Sequence, residues 1–326
     1  MRSTGSLRDA RVLVTGGSGL LGSHLCEALV EAGAAEVRVL DNFLRGRRSN
    51  LETAARGPVR LMEGSITDAA LVSKLVDGVD YVCHLAALRV PRCTQEPDLC
   101  LEVMVRGTHT LLQAAAKAGV RKVLYASSVV VYGDPEHRPM DERHPLNSTA
   151  LYGAAKIAGE QFCRAYHRSH GLPYVSLRYF NMYGPRMSLE GDTEVMIKWL
   201  DKLEAGEAPV IHGDGSTAID WVQVRDAVRA SVLALNSPLD DETINVASGL
   251  ASTLKELLEL LIELTGSRVS PRYEAPPNAF TGISRVGGTE KAKRLLYFET
   301  QISLREGLRE LVAWYRQTKR EASVLK

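Results

Sequence analysis

The 326-residue sequence has no apolar stretch approaching the roughly 20 residues that a membrane-spanning helix needs, so no membrane partner is expected. It also has almost no charge imbalance: 40 Lys and Arg stand against 39 Asp and Glu, a formal net charge of +1. Without a strong basic field, neither nucleic acid nor an anionic membrane would be held electrostatically, and neither is expected as a partner. Cysteine is sparse and unpatterned. Cys26, Cys83, Cys93, Cys100 and Cys163 are odd in number and form no C-x-x-C pair, so they read as reduced structural thiols; no metal site is expected. The segment from Met1 to Arg11 carries no apolar secretory core, which makes the cytoplasm the expected compartment. Internal repeats and low-complexity segments are lacking too.

What the sequence does have is alternation. Short apolar, β-branched runs at Arg11 to Thr15, Val37 to Asp41, Val59 to Glu63, Val79 to Leu85, Lys122 to Ser127 and Tyr174 to Tyr179 read as strands. Helical patterns lie between them at about Leu20 to Glu31, Ala69 to Val76, Leu99 to Ala118 and Leu151 to Ser169. This is the texture of an α/β fold: a Rossmann-type, doubly wound parallel sheet with its ligand outside the carboxyl ends of the strands. A dinucleotide-binding domain over residues 1–180 is expected, with 181–326 mainly a smaller, discontinuous α/β substrate lobe. The strand-like runs Ile219 to Val224 and Thr243 to Ala247 suggest that the chain returns to the main sheet at about 217–248. Helices are expected near Glu194 to Leu203, Leu254 to Leu264 and Arg305 to Arg316.

The first strand runs into Gly16-Gly17-Ser18-Gly19-Leu20-Leu21-Gly22, which opens a helix. Glycines there allow a tight turn and close approach of backbone to a pyrophosphate, whose charge then sits on the helix N-terminus. The second strand ends in Asp41, 19 positions after Gly22, where a carboxylate can accept hydrogen bonds from ribose hydroxyls and repel a 2′-phosphate. That favours NAD over NADP. Arg45, Arg47 and Arg48 could hold such a phosphate and pull the other way. Asp68 and His84 follow the third and fourth strands at the same edge; a helix N-cap is a plausible role for the first, a buried core histidine for the second.

Tyr152-Gly153-Ala154-Ala155-Lys156 places a phenol and an ammonium one helical turn apart on one face, with Ser127-Ser128 closing the preceding strand. A phenol with an ordinary pKa of about 10 acts as a base at neutral pH only if a nearby cation stabilises the phenolate. Lys156 offers that cation, and the Ser128 hydroxyl could hold a substrate oxygen in line with Tyr152.

With these residues and Asp41-Asn42, His84-Leu85-Ala86-Ala87, Val131-Tyr132-Gly133, Arg178-Tyr179-Phe180-Asn181 and Tyr183-Gly184-Pro185, the chain resembles the extended short-chain dehydrogenases/reductases of the NAD-dependent epimerase/dehydratase family over most of its length. The resemblance implies NAD held by Gly16, Gly19, Leu20, Gly22, Asp41, Asn42, Ser65, Ile66, Leu85, Ala86, Ala87, Tyr152, Lys156 and Phe180. It implies catalysis by Ser128, Tyr152 and Lys156, a nucleoside-diphosphate sugar as substrate, and a homodimer built on the helices near Leu99 to Ala118 and Leu151 to Ser169. Asn181 matches the family asparagine that contacts the substrate diphosphate.

Two features bear on the reaction. Related sugar dehydratases place an acid pair just after the catalytic hydroxyl and related decarboxylases a glutamate, whereas this chain has Val129 and Val130. Elimination needs a general acid and base there, which valine cannot be. A 4-epimerase, running through a transient keto intermediate, is therefore the leading expectation. Against it, two cations expected on the diphosphate are replaced by Ile219 and Asn278; Arg89, Arg92, Arg186 and Arg285 are possible substitutes, with Arg89 and Arg186 taken as substrate residues. An oxidoreductase acting once on another alcohol or ketone stays open, as does an NAD-binding regulator without turnover.

Overall fold

The computed structural model of the protein describes residues 6–190, 194–275 and 283–324. Its centre is a seven-stranded parallel sheet of β1 (Arg11–Thr15), β2 (Glu36–Asp41), β3 (Val59–Glu63), β4 (Tyr81–His84), β5 (Lys122–Ser128), β6 (Tyr174–Tyr179) and β10 (Glu242–Val246), in spatial order β10-β6-β5-β4-β1-β2-β3. The strand order reverses between β1 and β4, which opens a crevice at their carboxyl ends. Every residue of β4, β5 and β6 is buried, as expected of strands covered on both faces.

Helices α1 (Leu20–Glu31), α2 (Ala69–Val76), α5 (Gly107–Ala118), α6 (Leu151–His170) and α8 (Val224–Asn236) cover the two faces. Leu25 and Leu29 of α1 pack with Val12, Val14, Val37 and Val39 on one side; Leu111, Leu112 and Ala115 of α5 pack with Val82 and Val123 on the other. Asp68 accepts from the N–H groups of Ala70 and Leu71 at 3.1 and 3.0 Å, so it is the N-cap of α2.

The helix expected over Leu99 to Ala118 is present as one helical run, made of α4 (Pro97–Cys100), a π-helical segment at Leu101–Arg106 and α5. A separate short helix, α3 (Val90–Gln95), precedes it across a break at Glu96. Pro97 is the reason for the break, because Glu96 before it is driven out of the helical region, to φ −130° and ψ 74°.

Outside the main sheet lie β7 (Asn181–Tyr183), α7 (Val195–Glu204), β8 (Val210–His212), β9 (Ala218–Gln223), β11 (Ala251–Thr253), α9 (Leu254–Thr265), β12 (Arg272–Glu274) and α11 (Leu304–Val324), while α10 (Glu290–Leu296) packs on β10 and α8 with Ala292 and Leu296 in the main core. Met196, Trp199 and Leu200 pack with Leu257, Leu261, Leu308 and Leu311 in a separate apolar core. The expected return of the chain to the main sheet is half correct. The run Thr243 to Ala247 supplies β10, which pairs with β6, but the run from Ile219 forms β9 in a separate three-stranded sheet, β11-β9-β7. Alternation of apolar residues marks a strand without saying which edge it will find.

Candidate active site

A cleft of about 400 Å³ lies at the carboxyl edge of the main sheet and extends toward β7 and β9. Its size is within the range of small-molecule sites. One end is the glycine loop between β1 and α1. Gly16 has φ +70°, and a Cβ there would fall 2.8 Å from the Ala86 nitrogen; a Cβ on Gly22 would fall 2.3 Å from the Gly16 carbonyl oxygen. The close approach of loop, helix and the β4 exit therefore depends on the missing side chains.

Asp41 is held in place by its own neighbours. Its carboxylate accepts from Ser18 N–H at 2.9 Å and from Phe43 N–H at 2.8 Å. Of the three arginines that could favour a 2′-phosphate, Arg47 pairs with Glu190 at 3.1 Å and Arg48 pairs with Glu63, while Arg45 lines the cleft. Gly19, Leu20, Asn42, Ser65, Ile66, Leu85, Ala86 and Ala87 line it with Asp41. Together they make a channel with close backbone approach at one point and a carboxylate at the next, which suits a dinucleotide. Phe180 differs from expectation: its side chain is buried in the main core, beside Gly287, and its N–H is donated to Val246 O at 2.9 Å. His84 is a buried strut between Thr15 and Thr108 at 2.8 and 2.9 Å, its pKa pushed down to about 3 by burial, so it stays neutral, with a single ring N–H, at neutral pH.

At the middle of the cleft stand Ser128, Tyr152 and Lys156. Ser128 ends β5, and its Oγ accepts from Val130 N–H at 3.2 Å. Burial pushes the Tyr152 phenol up to about 12, while the nearby Ser128 hydroxyl pulls it down. Lys156 Nζ lies 5.8 Å from the centre of the Tyr152 ring and donates to Ala126 O at 2.5 Å. Burial brings its pKa down to about 8, so the ammonium is still charged at neutral pH. Val129 is buried and Val130 lines the cleft. The wall following Ser128 is thus apolar.

One important residue escaped the sequence reading. Glu160, a turn beyond Lys156 on α6, is 4 % exposed and takes a two-pronged pair from Arg178 of β6, at 2.9 and 2.7 Å. It also accepts from Ser127 Oγ at 2.5 Å, and Arg178 continues to the Tyr132 hydroxyl at 3.0 Å. The network clamps α6 to β5 and β6, which fixes Tyr152 and Lys156 against Ser128. The signal was the four-residue step from Lys156, a carboxylate on the same buried face.

The far end of the cleft is lined by Asn181, Met182, Arg186, Met187, Glu194 and Trp221. Asn181 Nδ2 reaches Asp220 O at 3.4 Å. Arg89 and Arg186, the two arginines expected to meet substrate, are on the cleft, but each is paired: Arg186 with Glu27 and Arg89 with Glu194, both at 2.5 Å. Arg92 pairs with Glu96 at 2.6 Å and Arg285 donates to Gly133 O at 3.3 Å; neither is on the cleft wall. Ile219 and Trp221 alternate on one face of β9, with buried Asp220 on the other, accepting from Ser248, Gly249 and Gly287. Among the described residues, Arg186 Nη1 and Trp221 Nε1 are buried donors without a partner. Asn278 lies outside the described residues.

A doubly wound sheet, a glycine loop, a strand-end aspartate and a Ser, Tyr and Lys set define a dinucleotide-dependent enzyme acting at a carbinol or carbonyl. Residues 12–247 match the model of the NAD dependent epimerase/dehydratase family, and the chain belongs to it. It is 34 % identical to the UDP-glucose 4-epimerase of Mycolicibacterium smegmatis, over 94 % of this chain and 98 % of that one. The crystal structure of the Thermotoga maritima UDP-glucose 4-epimerase with UDP-glucose superposes with a TM-score of 0.90 at 33 % identity, covering 95 % and 99 % of the two chains. A dTDP-glucose 4,6-dehydratase of Streptomyces venezuelae with NAD bound is nearly as similar, with a TM-score of 0.89 at 32 % identity and coverage of 95 % and 98 %.

Asp41 yields a direct test of the cofactor end. Asp41→Asn keeps the shape but weakens acceptance from ribose hydroxyls, and NAD affinity by calorimetry should fall about 10- to 100-fold, the worth of a charged hydrogen bond. An unchanged affinity would place the ribose elsewhere.

Proposed function

We propose that this protein is an NAD-dependent nucleotide-sugar 4-epimerase, with Ser128, Tyr152 and Lys156 as its catalytic residues. The observation that carries the reading is an intact Ser128, Tyr152 and Lys156 set followed by an apolar wall at Val129 and Val130, where an elimination would need an acid and a base. This separates the chain from its dehydratase relatives even though they share its fold. In this reading residues 1–180 and the return through β10 hold NAD, and the part beyond Phe180 mainly holds substrate.

Bound NAD supplies a hydride acceptor and a positively charged nicotinamide ring. The chain's own residues do the proton work. Ser128 donates to and orients the C4 oxygen. Tyr152 takes the hydroxyl proton as the carbinol is oxidised, and Lys156 holds the phenolate down in energy by its charge. After the keto sugar turns over in the cleft, Tyr152 returns the proton to the same oxygen, now on the opposite face. Arg186 Nη1 and Trp221 Nε1 are the donors left for substrate acceptor oxygens, a neutral indole standing one alternation beyond Ile219.

A homodimer through the helical run from α4 to α5 and through α6 fits the exposure of Leu101 (56 %), which opens the π-helical segment between α4 and α5, and of Leu151 (45 %), the first residue of α6. No described helix is long and apolar enough to cross a membrane, and all five cysteines are free, which suits a reducing cytoplasm.

Titration of NAD-loaded protein with UDP, dTDP, GDP, CDP and ADP tests the substrate class. Tight binding of one diphosphate is expected, followed by interconversion of its glucose and galactose forms without net NADH. A one-way oxidoreduction is the second reading, favoured by Ile219 in place of a cation; binding of none of the five, with NAD still held, would select it.

A further inference from the structure

Cys93 and Cys100 carry a feature that the proposed reaction does not use. Seven residues apart, they would be separated by about 10 Å along a straight helix. The break at Glu96 and Pro97 instead folds α4 back on α3, and the two sulfur atoms come to 2.7 Å. The Met104 thioether completes the group, 3.6 Å from Cys93 and 4.0 Å from Cys100. This sulfur cluster packs with Leu88 and Ala155 and against Ala87 and Tyr152, directly behind the cleft. The other three cysteines lie in α1, β4 and α6, in the main core.

We propose that Cys93 and Cys100 form a reversible dithiol–disulfide site behind Tyr152, closed by exchange with a low-molecular-weight disulfide such as oxidised glutathione. The proposal is independent of the reaction assigned above. One protein thiolate attacks the glutathione disulfide, forming a mixed disulfide and releasing one glutathione as thiolate. The second protein thiolate then attacks the protein-side sulfur of that mixed disulfide and releases the second glutathione. Two thiol protons are lost, the protein dithiol is oxidised by two electrons, and one glutathione disulfide becomes two glutathiones. The product ties α3 to α4 across the Glu96 break, fixing the wall of the cleft that runs through Leu88.

Access is through the segment itself. Both sulfurs are buried, yet Thr94, Gln95, Pro97 and Asp98 around them are exposed, so one layer of chain separates the cluster from solvent. Burial and the Cys100 thiol push Cys93 up to about 12, so exchange proceeds when these two short helices open.

The test incubates the full-length protein in glutathione buffers of increasing oxidation, quenches in acid, denatures, alkylates with N-ethylmaleimide and reads intact mass and linked peptides. All five cysteines should alkylate in the reduced protein. In the oxidised protein Cys26, Cys83 and Cys163 should alkylate, with two hydrogens lost overall and a peptide joining Cys93 to Cys100; dithiothreitol should restore all five. Cys100→Ser should give no internal link. Alkylation of all five at every ratio, a link between other cysteines, or a glutathione adduct on wild-type Cys93 that never closes would overturn the proposal. The wild-type mapping decides the matter even if the variant fails to fold.

Discussion

Tyr152→Phe lowers kcat by roughly 100- to 10,000-fold, the range that a positioned proton-transfer group contributes. The substitution removes one oxygen from a half-buried ring, so the cluster of Leu88, Cys93, Met104 and Ala155 around it keeps its packing. NAD and nucleotide affinities should stay within a few-fold of wild type, which separates a chemical defect from a binding one. The pH profile adds a second signature. Tyr152 is pushed up to about 12 by burial, and Lys156 is brought down to about 8, so the lysine is charged below that value and loses its charge as pH rises through it. Wild-type kcat should therefore lose the ammonium's support above about pH 8, whereas the residual rate of Tyr152→Phe, having no phenolate to support, should not bend there. Turnover within tenfold of wild type would mean that another group takes the proton.

The second large effect is on stability. Glu160→Ala leaves the Arg178 guanidinium, itself 5 % exposed, without its carboxylate and takes an acceptor from Ser127. Breaking a buried pair from one side costs about 3–5 kcal/mol because the remaining charge stays desolvated. For a chain of this size that lowers Tm by on the order of 10 °C, measured by calorimetry with NAD held constant. Replacing both partners, as Glu160→Met with Arg178→Met, should recover much of the loss, since the double change removes the charge along with its partner. A single variant as stable as wild type would show that water reaches Arg178 and that the pair clamps nothing. Turnover in the double variant then asks whether the clamp also positions Tyr152, because apolar packing restores stability without restoring the register of α6.

The main sheet was legible because its signals are local. Strands β1, β3 and β6 and helices α1 and α2 have the limits read from apolar runs and their flanking residues. The helix before β5 covers the expected Leu99 to Ala118, but its π-helical turn at Leu101–Arg106 and the short helix α3 before Pro97 left no mark in the apolar pattern. The site was legible to the same degree. Glycine loop, strand-end Asp41 and Tyr152 with Lys156 are each short motifs whose geometry is set within a turn or two. Arg89 and Arg186 were found as cations on the cleft, yet their carboxylate partners, Glu194 and Glu27, come from 105 and 159 positions away and left no mark in the local pattern.

The sequence by itself determined a doubly wound sheet, a glycine loop and a strand-end aspartate at its carboxyl edge, and a tyrosine and lysine on one helical face, because periodicity and loop chemistry act over a few residues. Tertiary structure alone decided that β9 leaves the main sheet, that Phe180 turns into the core, that Glu160 and Arg178 lock α6 in place, and that Cys93 meets Cys100. Each of these depends on which distant surfaces meet, and a buried charge or a thiol takes its properties from the groups packed around it.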